Sequence, residues 1–181
     1  MKFSEVFTSK DNIQLDKKTL DILRWIAIVG QFFTISIVYF FLGFELPFFY
    51  CSVIILVGVL TNIYLKFKVK ENQLSNFHST IYLLYDLVQL AALLYFTGGI
   101  TNPFTILLII PAIVSSTFLS LRSTLNLSFV TIMVLLILTL YHLPLPHSGD
   151  LHFHVPNYYL YAIPTAVIIG LIFLTYFGAR F

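Results

Sequence analysis

Charged residues are scarce in this 181-residue sequence: Asp, Glu, Lys and Arg together make up 10% of it. Soluble domains carry about 25% charged residues, so this composition excludes an ordinary soluble globular domain. Hydrophobic residues account for 59% of the chain, and the mean hydropathy is +0.92. The sequence therefore predicts a protein embedded in a lipid bilayer.

Cysteine and catalytic motifs are scarce as well. Cys51 is the single cysteine, so no internal disulfide can form, and we expect it to pack like a small apolar residue. A phosphate-binding glycine loop, a Ser–His–Asp spacing and a Cys–His metal cluster are all missing. We therefore expect no catalytic residue, no bound metal, no ATP site and no nucleic-acid partner for this chain.

Six hydrophobic segments are each long enough to cross a hydrocarbon core about 30 Å thick. They cover approximately residues 25–43, 48–65, 79–97, 104–121, 124–141 and 158–177. Residues 1–23 precede them as a polar segment that becomes partly helical from Asp16 to Leu23, and residues 24–181 make up the membrane domain. We predict an all-α, polytopic membrane protein with six transmembrane helices.

The positions of the basic residues predict the topology. In a six-span arrangement all Lys and Arg residues fall on one side of the membrane, namely Lys2, Lys10, Lys17, Lys18, Arg24, Lys66, Lys68, Lys70, Arg122 and Arg180. The positive-inside rule makes that side the cytoplasm. We expect a multi-pass protein of the bacterial inner membrane with both termini in the cytoplasm and the residue 98–104 turn in the periplasm.

That turn, Gly98-Gly99-Ile100-Thr101-Asn102-Pro103-Phe104, separates the third and fourth segments. Two glycines followed by Asn-Pro cannot continue a helix. Asn102 is suited to cap a new helix with Pro103 at its first position. The result is either a simple tight hairpin or a pocket for a flat, carbonyl-bearing ring, with Phe104 at its tip.

Asp86 lies near the middle of the third segment, where a carboxylate costs roughly 2.5–3.5 kcal/mol on insertion scales. Together with Gln89 and Thr97 it falls on one helical face that leads to Gly98. This face either holds the helix in the bundle or extends the ligand pocket. We expect Arg24 at the lipid headgroups, which leaves Asp86 without a basic partner and favours a protonated carboxyl.

Polar residues also occur in the other predicted outer segments. Glu45 lies in the short turn between the first two spans, next to the expected pocket. His142, His147, His152 and His154 occur with Asp150 around the loop between the last two spans. His152 and His154 have the spacing of a metal pair, but histidines between prolines are more typical of a plain polar loop.

The Gly98–Phe104 turn resembles the GGxxNPF heptapeptide of the RegB/PrrB/ActS-type redox-sensing histidine kinases. Supporting stretches are similar too: Leu23–Gln31, Phe44–Pro47, Tyr85–Leu90, Leu94–Thr97 and Leu143–Pro146. The resemblance covers most of residues 20–180. It implies a six-spanning sensor domain, with both ends cytoplasmic, that binds a ubiquinone-type quinone at the turn.

The resemblance also implies site residues and partners. Gly98, Gly99, Asn102, Pro103 and Phe104 would form the quinone site, with Asp86, Gln89, Thr97 and Glu45 as secondary members. Oxidised quinone would hold an attached kinase off. The phosphoacceptor histidine and ATP-binding domain are expected beyond Phe181, together with homodimerisation and a response-regulator partner. This fragment alone would then have no kinase activity.

Two other functions remain open from the sequence. A small multispanning carrier or lipid-modifying enzyme would use Asp86 and the outer histidines, and it predicts transport or turnover by this chain. A plain membrane anchor for a kinase predicts no saturable ligand at all.

Overall fold

The computed structural model describes residues 15–68, 73–147 and 156–180. Within these residues the fold is all-α, as predicted. We number the α-helices in chain order as α1 (Lys17–Ser36), α2 (Phe48–Lys68), α3 (Asn76–Phe96), α4 (Ile110–Phe118), α5 (Leu121–Leu140) and α6 (Asn157–Arg180). A π-helical turn, Ile37–Phe41, continues α1. Two 3-10 segments, Gly99–Thr101 and Pro103–Ile109, connect α3 to α4.

Five of these helices are long and apolar enough to cross a membrane by themselves. The remaining apolar segment, Pro103–Phe118, is shorter. Its first seven residues are a 3-10 helix, which rises about 2.0 Å per residue instead of the 1.5 Å of an α-helix. The whole segment therefore reaches roughly 28 Å, close to the thickness of a hydrocarbon core.

Several predicted helix boundaries were wrong. The Asp16–Leu23 stretch, which was expected to be a partly helical approach outside the membrane domain, is instead continuous with the first span in a helix that begins at Lys17; residues 1–14 lie outside the described part. The fourth span ends at Phe118 instead of residue 121. The reason is the Ser120 side chain, which accepts a hydrogen bond from the Ser123 N–H and so begins α5 at Leu121.

The helices pack as a core with a hairpin beside it. The α3, α4, α5 and α6 helices share a buried cluster that includes Leu87, Ala112, Leu135 and Leu171. The α1–α2 hairpin packs against α3 mainly through α2. The side of α1 that faces away from α2 is consequently free to line a groove.

The lysines of α1 and α2 and Arg122 of α5 lie at one end of the bundle, whereas Arg24 is buried inside it. Lys17 at the start of α1 donates a hydrogen bond from Nζ to the Lys66 carbonyl at the end of α2 (2.9 Å). Arg122 starts α5 at the same end, next to a leucine cluster that includes Leu20, Leu65 and Leu119. This clustering agrees with the charge pattern on which the topology prediction rests. The compartment that this end faces stays a prediction.

Candidate ligand groove

A long apolar groove of about 840 Å³ runs along the bundle between α1 on one side and α3 with the Pro103–Ile109 segment on the other. At the end next to the Gly98–Phe104 turn, which we call the outer end after the predicted topology, it is lined by Thr97, Thr101, Asn102, Pro103 and Phe104. At its inner end it is lined by Leu20, Arg24 and Asp86. The turn and the midspan carboxylate, which the sequence singled out separately, therefore belong to one cavity.

The two glycines of the turn are required by backbone conformation and by packing. Gly98 has φ +111° and Gly99 has φ +55°, values that residues with a side chain rarely adopt. A Cβ on Gly99 would lie 2.3 Å from the His142 side chain, and a Cβ on Gly98 would lie 2.5 Å from Leu145 Cδ1. The segment that packs closely against these two glycines is thus the loop that follows α5.

Asn102 caps the 3-10 helix as predicted. Its Oδ1 accepts a hydrogen bond from the Phe104 N–H at 2.9 Å. Its Nδ2 donates to the Thr97 carbonyl at 2.9 Å and to Thr97 Oγ1 at 2.8 Å. Because both protons of the amide are used, Asn102 ties the end of α3 to the start of the next span and has no spare donor for a ligand.

The remaining turn residues face the groove differently. Pro103 and Phe104 are exposed, with 43% of Phe104 accessible, and both line the outer end of the groove. Thr105 is buried and donates a hydrogen bond from Oγ1 to the Gly99 carbonyl. The outer end therefore offers an aromatic ring and a proline ring as packing surfaces.

Asp86 has a basic partner, contrary to the sequence prediction. Arg24 is not at the lipid headgroups: its side chain is 2% exposed, and its Nε donates to Asp86 Oδ1 at 2.9 Å. The error arose because the first helix begins at Lys17, which places Arg24 about 10 Å inside it. The midspan carboxyl is therefore half of an ion pair between α1 and α3.

A wider polar network around Arg24 escaped the sequence reasoning. Arg24 also donates to Thr61 Oγ1 at 2.8 Å and to Asn62 Oδ1 at 3.4 Å, both on α2. Its guanidinium lies over the Tyr82 and Tyr85 rings, at 5.3 and 5.4 Å from their centroids. The adjacent polar pair Thr61-Asn62 inside an apolar span was the available signal. Three helices are joined here.

A second polar contact lies farther along the groove. Gln89, one helical turn from Asp86, donates from Nε2 to Gln31 Oε1 at 3.0 Å. The Gln89 amide packs against Gly58. A Cβ on Gly58 would lie 2.5 Å from Gln89 Nε2, so a residue with a side chain at position 58 would displace the amide. Gln31 lines the groove, whereas Gln89 is buried behind it. Gln89 thus positions Gln31.

Glu45, His142 and His147 lie at the same end of the bundle as the Gly98–Phe104 turn, and none of them lines the groove. The Glu45 N–H donates to the His147 carbonyl, and the two side chains are 4.0 Å apart. His142 packs on Gly99 and hydrogen-bonds the Leu143 carbonyl. Among the described residues no group of three potential metal ligands occurs. His152, His154 and Asp150 lie outside the described residues.

These positions separate Asp86 from the outer histidines. Asp86 and Phe96 are ten positions apart on α3, which corresponds to about 15 Å along the helix axis. His142 is beyond that distance, on the far side of Gly99. A carrier or enzyme using both groups would therefore lack a common site within the described residues.

The sequence matches the family model described as the PilS-like transmembrane domain over residues 42–181, and the chain belongs to this family of six-span domains. A more particular similarity is to the sensor histidine kinase RegB of Cereibacter sphaeroides: 34% identity over 164 residues, or 90% of this chain and 36% of RegB. A second RegB sequence from that species is 35% identical over 75 residues, covering 41% of this chain and 16% of the relative.

Together these similarities identify a transmembrane sensor domain of the RegB type. The chain spans about a third of the length of the first of these RegB relatives, although the match covers 90% of the chain itself. No solved structure matches it.

Proposed function

We propose that this chain is the membrane input module of a sensor histidine kinase and that it binds a ubiquinone-type quinone in the groove between α1 and α3. Binding would regulate autophosphorylation of a kinase domain located in the part of the relative that this chain does not cover. A response regulator and a second copy of the kinase would be the partners of the full-length protein.

The groove is the observation that carries this proposal. It has about 840 Å³ of space, a predominantly apolar lining, and walls formed by membrane-spanning segments. A ligand that enters it has to be soluble in the hydrocarbon core, and it has to be long and narrow. A quinone ring with an isoprenoid tail has this shape, and Phe104 and Pro103 offer flat surfaces against which the ring can pack.

The arrangement of α1 also supports a signalling role. This helix packs on α2, and two polar contacts, Arg24–Asp86 and Gln31–Gln89, link it to α3 beside the groove. A ligand in the groove contacts α1 and α3 at the same time. Its affinity therefore differs between a conformation in which these helices are farther apart and one in which they are closer together. We propose that the cytoplasmic ends of α1 and α6 transmit this change in helix position to the kinase domain.

The proposal is tested by substituting Gly30, which lines the groove and where a Cβ would have no neighbour within 4 Å. Gly30→Phe is expected to fill the groove without displacing the backbone and to abolish saturable binding of a short-chain ubiquinone in nanodiscs. Gly30→Ala is the matched control and should bind as the natural chain does.

Extraction of lipid-soluble compounds from the same three purified proteins gives an independent readout. Quinone should co-purify with the natural chain and with Gly30→Ala but be depleted in Gly30→Phe. Equal quinone content in all three proteins, together with unchanged binding, would contradict the groove as the site. Absence of saturable binding in the natural chain would favour a plain membrane anchor.

A further inference from the structure

Asn126 is a polar residue on the exposed side of α5. It lies five positions after Leu121, about 7.5 Å inside this span, and its side chain is exposed. Thr117 and Thr165 are also exposed, but each donates a hydrogen bond to a carbonyl four residues earlier on its own helix. The Asn126 carboxamide has no such partner among the described residues, and it does not line the groove.

An unpaired carboxamide is unfavourable at this depth. The α5 helix has 20 residues and is about 30 Å long, so it crosses the hydrocarbon core from end to end. Asn126 therefore faces lipid, which cannot hydrogen-bond the donors and the acceptor of an amide. A polar group contributed by another membrane-spanning chain would satisfy them.

The exposed residues around Asn126 follow an alternating spacing of four and three residues. They form a stripe along α5, which we call the α5 stripe: Arg122, Asn126, Phe129, Met133, Leu136 and Leu140. Its four apolar members are between 41% and 73% exposed. This spacing is that of the a and d positions of a left-handed pair of helices, with Asn126 at an a position. The buried side of α5 packs against α3, α4 and α6, which leaves the α5 stripe available to another chain.

We propose that the α5 stripe is the contact surface for a second copy of this chain, and that the Asn126 side chains of the two copies hydrogen-bond each other. Two copies with the same orientation in the membrane are related by a two-fold axis along the membrane normal. Their α5 helices then run parallel, and each residue near the axis lies opposite its own counterpart. A carboxamide suits this arrangement because it both donates and accepts, and a single asparagine at an a position fixes the register of such a pair.

The charged member of the α5 stripe is compatible with this pairing. Arg122 lies in the first turn of α5, at the end of the span. A long basic side chain at that position extends toward the headgroups and water while its methylene groups stay along the helix. The two Arg122 cations of a dimer are therefore solvated and need not contact each other.

The position of α6 supports a second copy as the occupant. Ser128 of α5 and Thr175 of α6 are joined by a hydrogen bond of 3.0 Å, so the last turns of α6 lie alongside the first turns of α5. A parallel pair of α5 helices thus places each α6 end about one helix diameter, roughly 10 Å, from the pair. This step rests on the proposed function, in which α6 leads toward a kinase domain that acts with a second copy.

The first test measures association of the 181-residue chain, labelled at its amino terminus with donor and acceptor dyes, by energy transfer in liposomes at increasing protein-to-lipid ratio. The natural chain should show saturable transfer. Asn126→Leu should weaken association about tenfold, because the pair of amides is lost. Asn126→Gln keeps the amide and should retain most of the affinity. Thr117→Val is the matched control, since it removes an exposed hydroxyl that bonds within its own helix, and it should change nothing.

The second test locates the interface. In a Cys51→Ser background, Phe129→Cys and Leu136→Cys lie at d positions and should each form an intermolecular disulfide in membranes treated with copper–phenanthroline as the oxidant. Adding Asn126→Leu to Phe129→Cys should reduce that crosslink. Leu56→Cys is the control, because residue 56 is 55% exposed on α2, away from the α5 stripe, and it should not crosslink.

The outcomes separate this interface from the proposed function. Transfer in the natural chain that never exceeds random proximity would overturn the interface, as would equal association of Asn126→Leu and the natural chain. Crosslinking through Leu56→Cys but not through Phe129→Cys would also overturn it. Asn126→Leu should bind a short-chain ubiquinone as the natural chain does, because Asn126 is outside the groove. A chain that dimerises through α5 but binds no quinone would refute the proposed ligand and leave the interface intact.

Discussion

The pair formed by Arg24 and Asp86 is the strongest residue-level determinant of how α1 is held. Each charge would be expensive alone at this depth, and the pair is neutral overall. Thr61 and Asn62 accept further hydrogen bonds from Arg24, so the cation is well satisfied. The ion pair therefore fixes the height of α1 relative to α3, which sets the shape of the inner groove.

A double-mutant cycle tests this role. Asp86→Leu should lower the free energy of unfolding by about 3 kcal/mol, because it leaves Arg24 buried without its counter-charge. Arg24→Leu/Asp86→Leu should recover most of that loss, because it removes the unpaired buried charge. Unfolding measured in nanodiscs gives both values. Additive losses in the double variant would show that the two residues do not act as a pair.

The glycines at the turn give a second prediction at this scale. Gly99→Ala is expected to cost about 2 kcal/mol, because it combines a positive φ with a clash against His142. Gly30→Ala, in an open stretch of α1, should leave stability unchanged or raise it by up to about 1 kcal/mol. Thermal unfolding of the two variants in the same detergent makes the comparison. Equal midpoints would contradict the packing argument.

Among the secondary-structure elements, the Pro103–Ile109 segment is the least regular and the most informative. Asn102 begins it, Thr105 ties it to Gly99, and its 3-10 geometry lets a short segment reach across most of the membrane. Pro111 follows at the start of α4, where its missing N–H costs nothing. This segment forms one wall of the groove, so its start position controls the outer end.

Substitutions of Asn102 distinguish its two contacts. Asn102→Asp keeps the acceptor for the Phe104 N–H but loses both donors to Thr97. Asn102→Ala loses all three bonds and should cost about 1 kcal/mol more than the aspartate variant, the usual value of a helix cap. Unfolding midpoints provide the measurement. If the aspartate variant were as unstable as the alanine one, the cap would contribute nothing.

How much was predictable differs between the elements. The apolar segments were enough to predict the all-α fold, and the Asn102-Pro103 pair was enough to predict the cap at Asn102. Both features depend on local sequence. The partner of Asp86 was not predictable in the same way. It depends on how α1 packs against α3, because Arg24 stands at the polar end of the first apolar segment and only the packed bundle shows that it is buried beside Asp86. Likewise, the contacts of Gly98 and Gly99 come from a loop more than forty residues later.

At the scale of the whole molecule, the charge distribution predicts a single orientation. We expect the end with Lys17, Lys66 and Arg122 to face the cytoplasm and the Glu45 turn to face the periplasm. In a Cys51→Ser background, Glu45→Cys should react with a membrane-impermeant maleimide in intact cells, and Lys66→Cys should react only after lysis. The reverse pattern would contradict the predicted topology.

The bundle consists of two parts that are held together to different extents. The α3–α6 core shares one buried cluster, whereas α1 depends on α2 and on two polar contacts. A ligand between these parts is in the position to shift one against the other. In this arrangement, ligand binding in the groove would move α1 relative to the core and so change the end of the bundle at which α1 begins and α6 ends.

The most direct test of the central claim is photo-crosslinking with a short-chain azido-quinone, followed by mass spectrometry of the labelled peptides. We predict labels on groove-lining residues between positions 26 and 38, in α1 and the π-helical turn that continues it, and on the segment from Pro103 to Pro111. Excess unlabelled quinone should remove them, and Gly30→Phe should prevent them. Labelling spread over the lipid-facing sides of α2 and α6, without competition, would contradict a binding groove between α1 and α3.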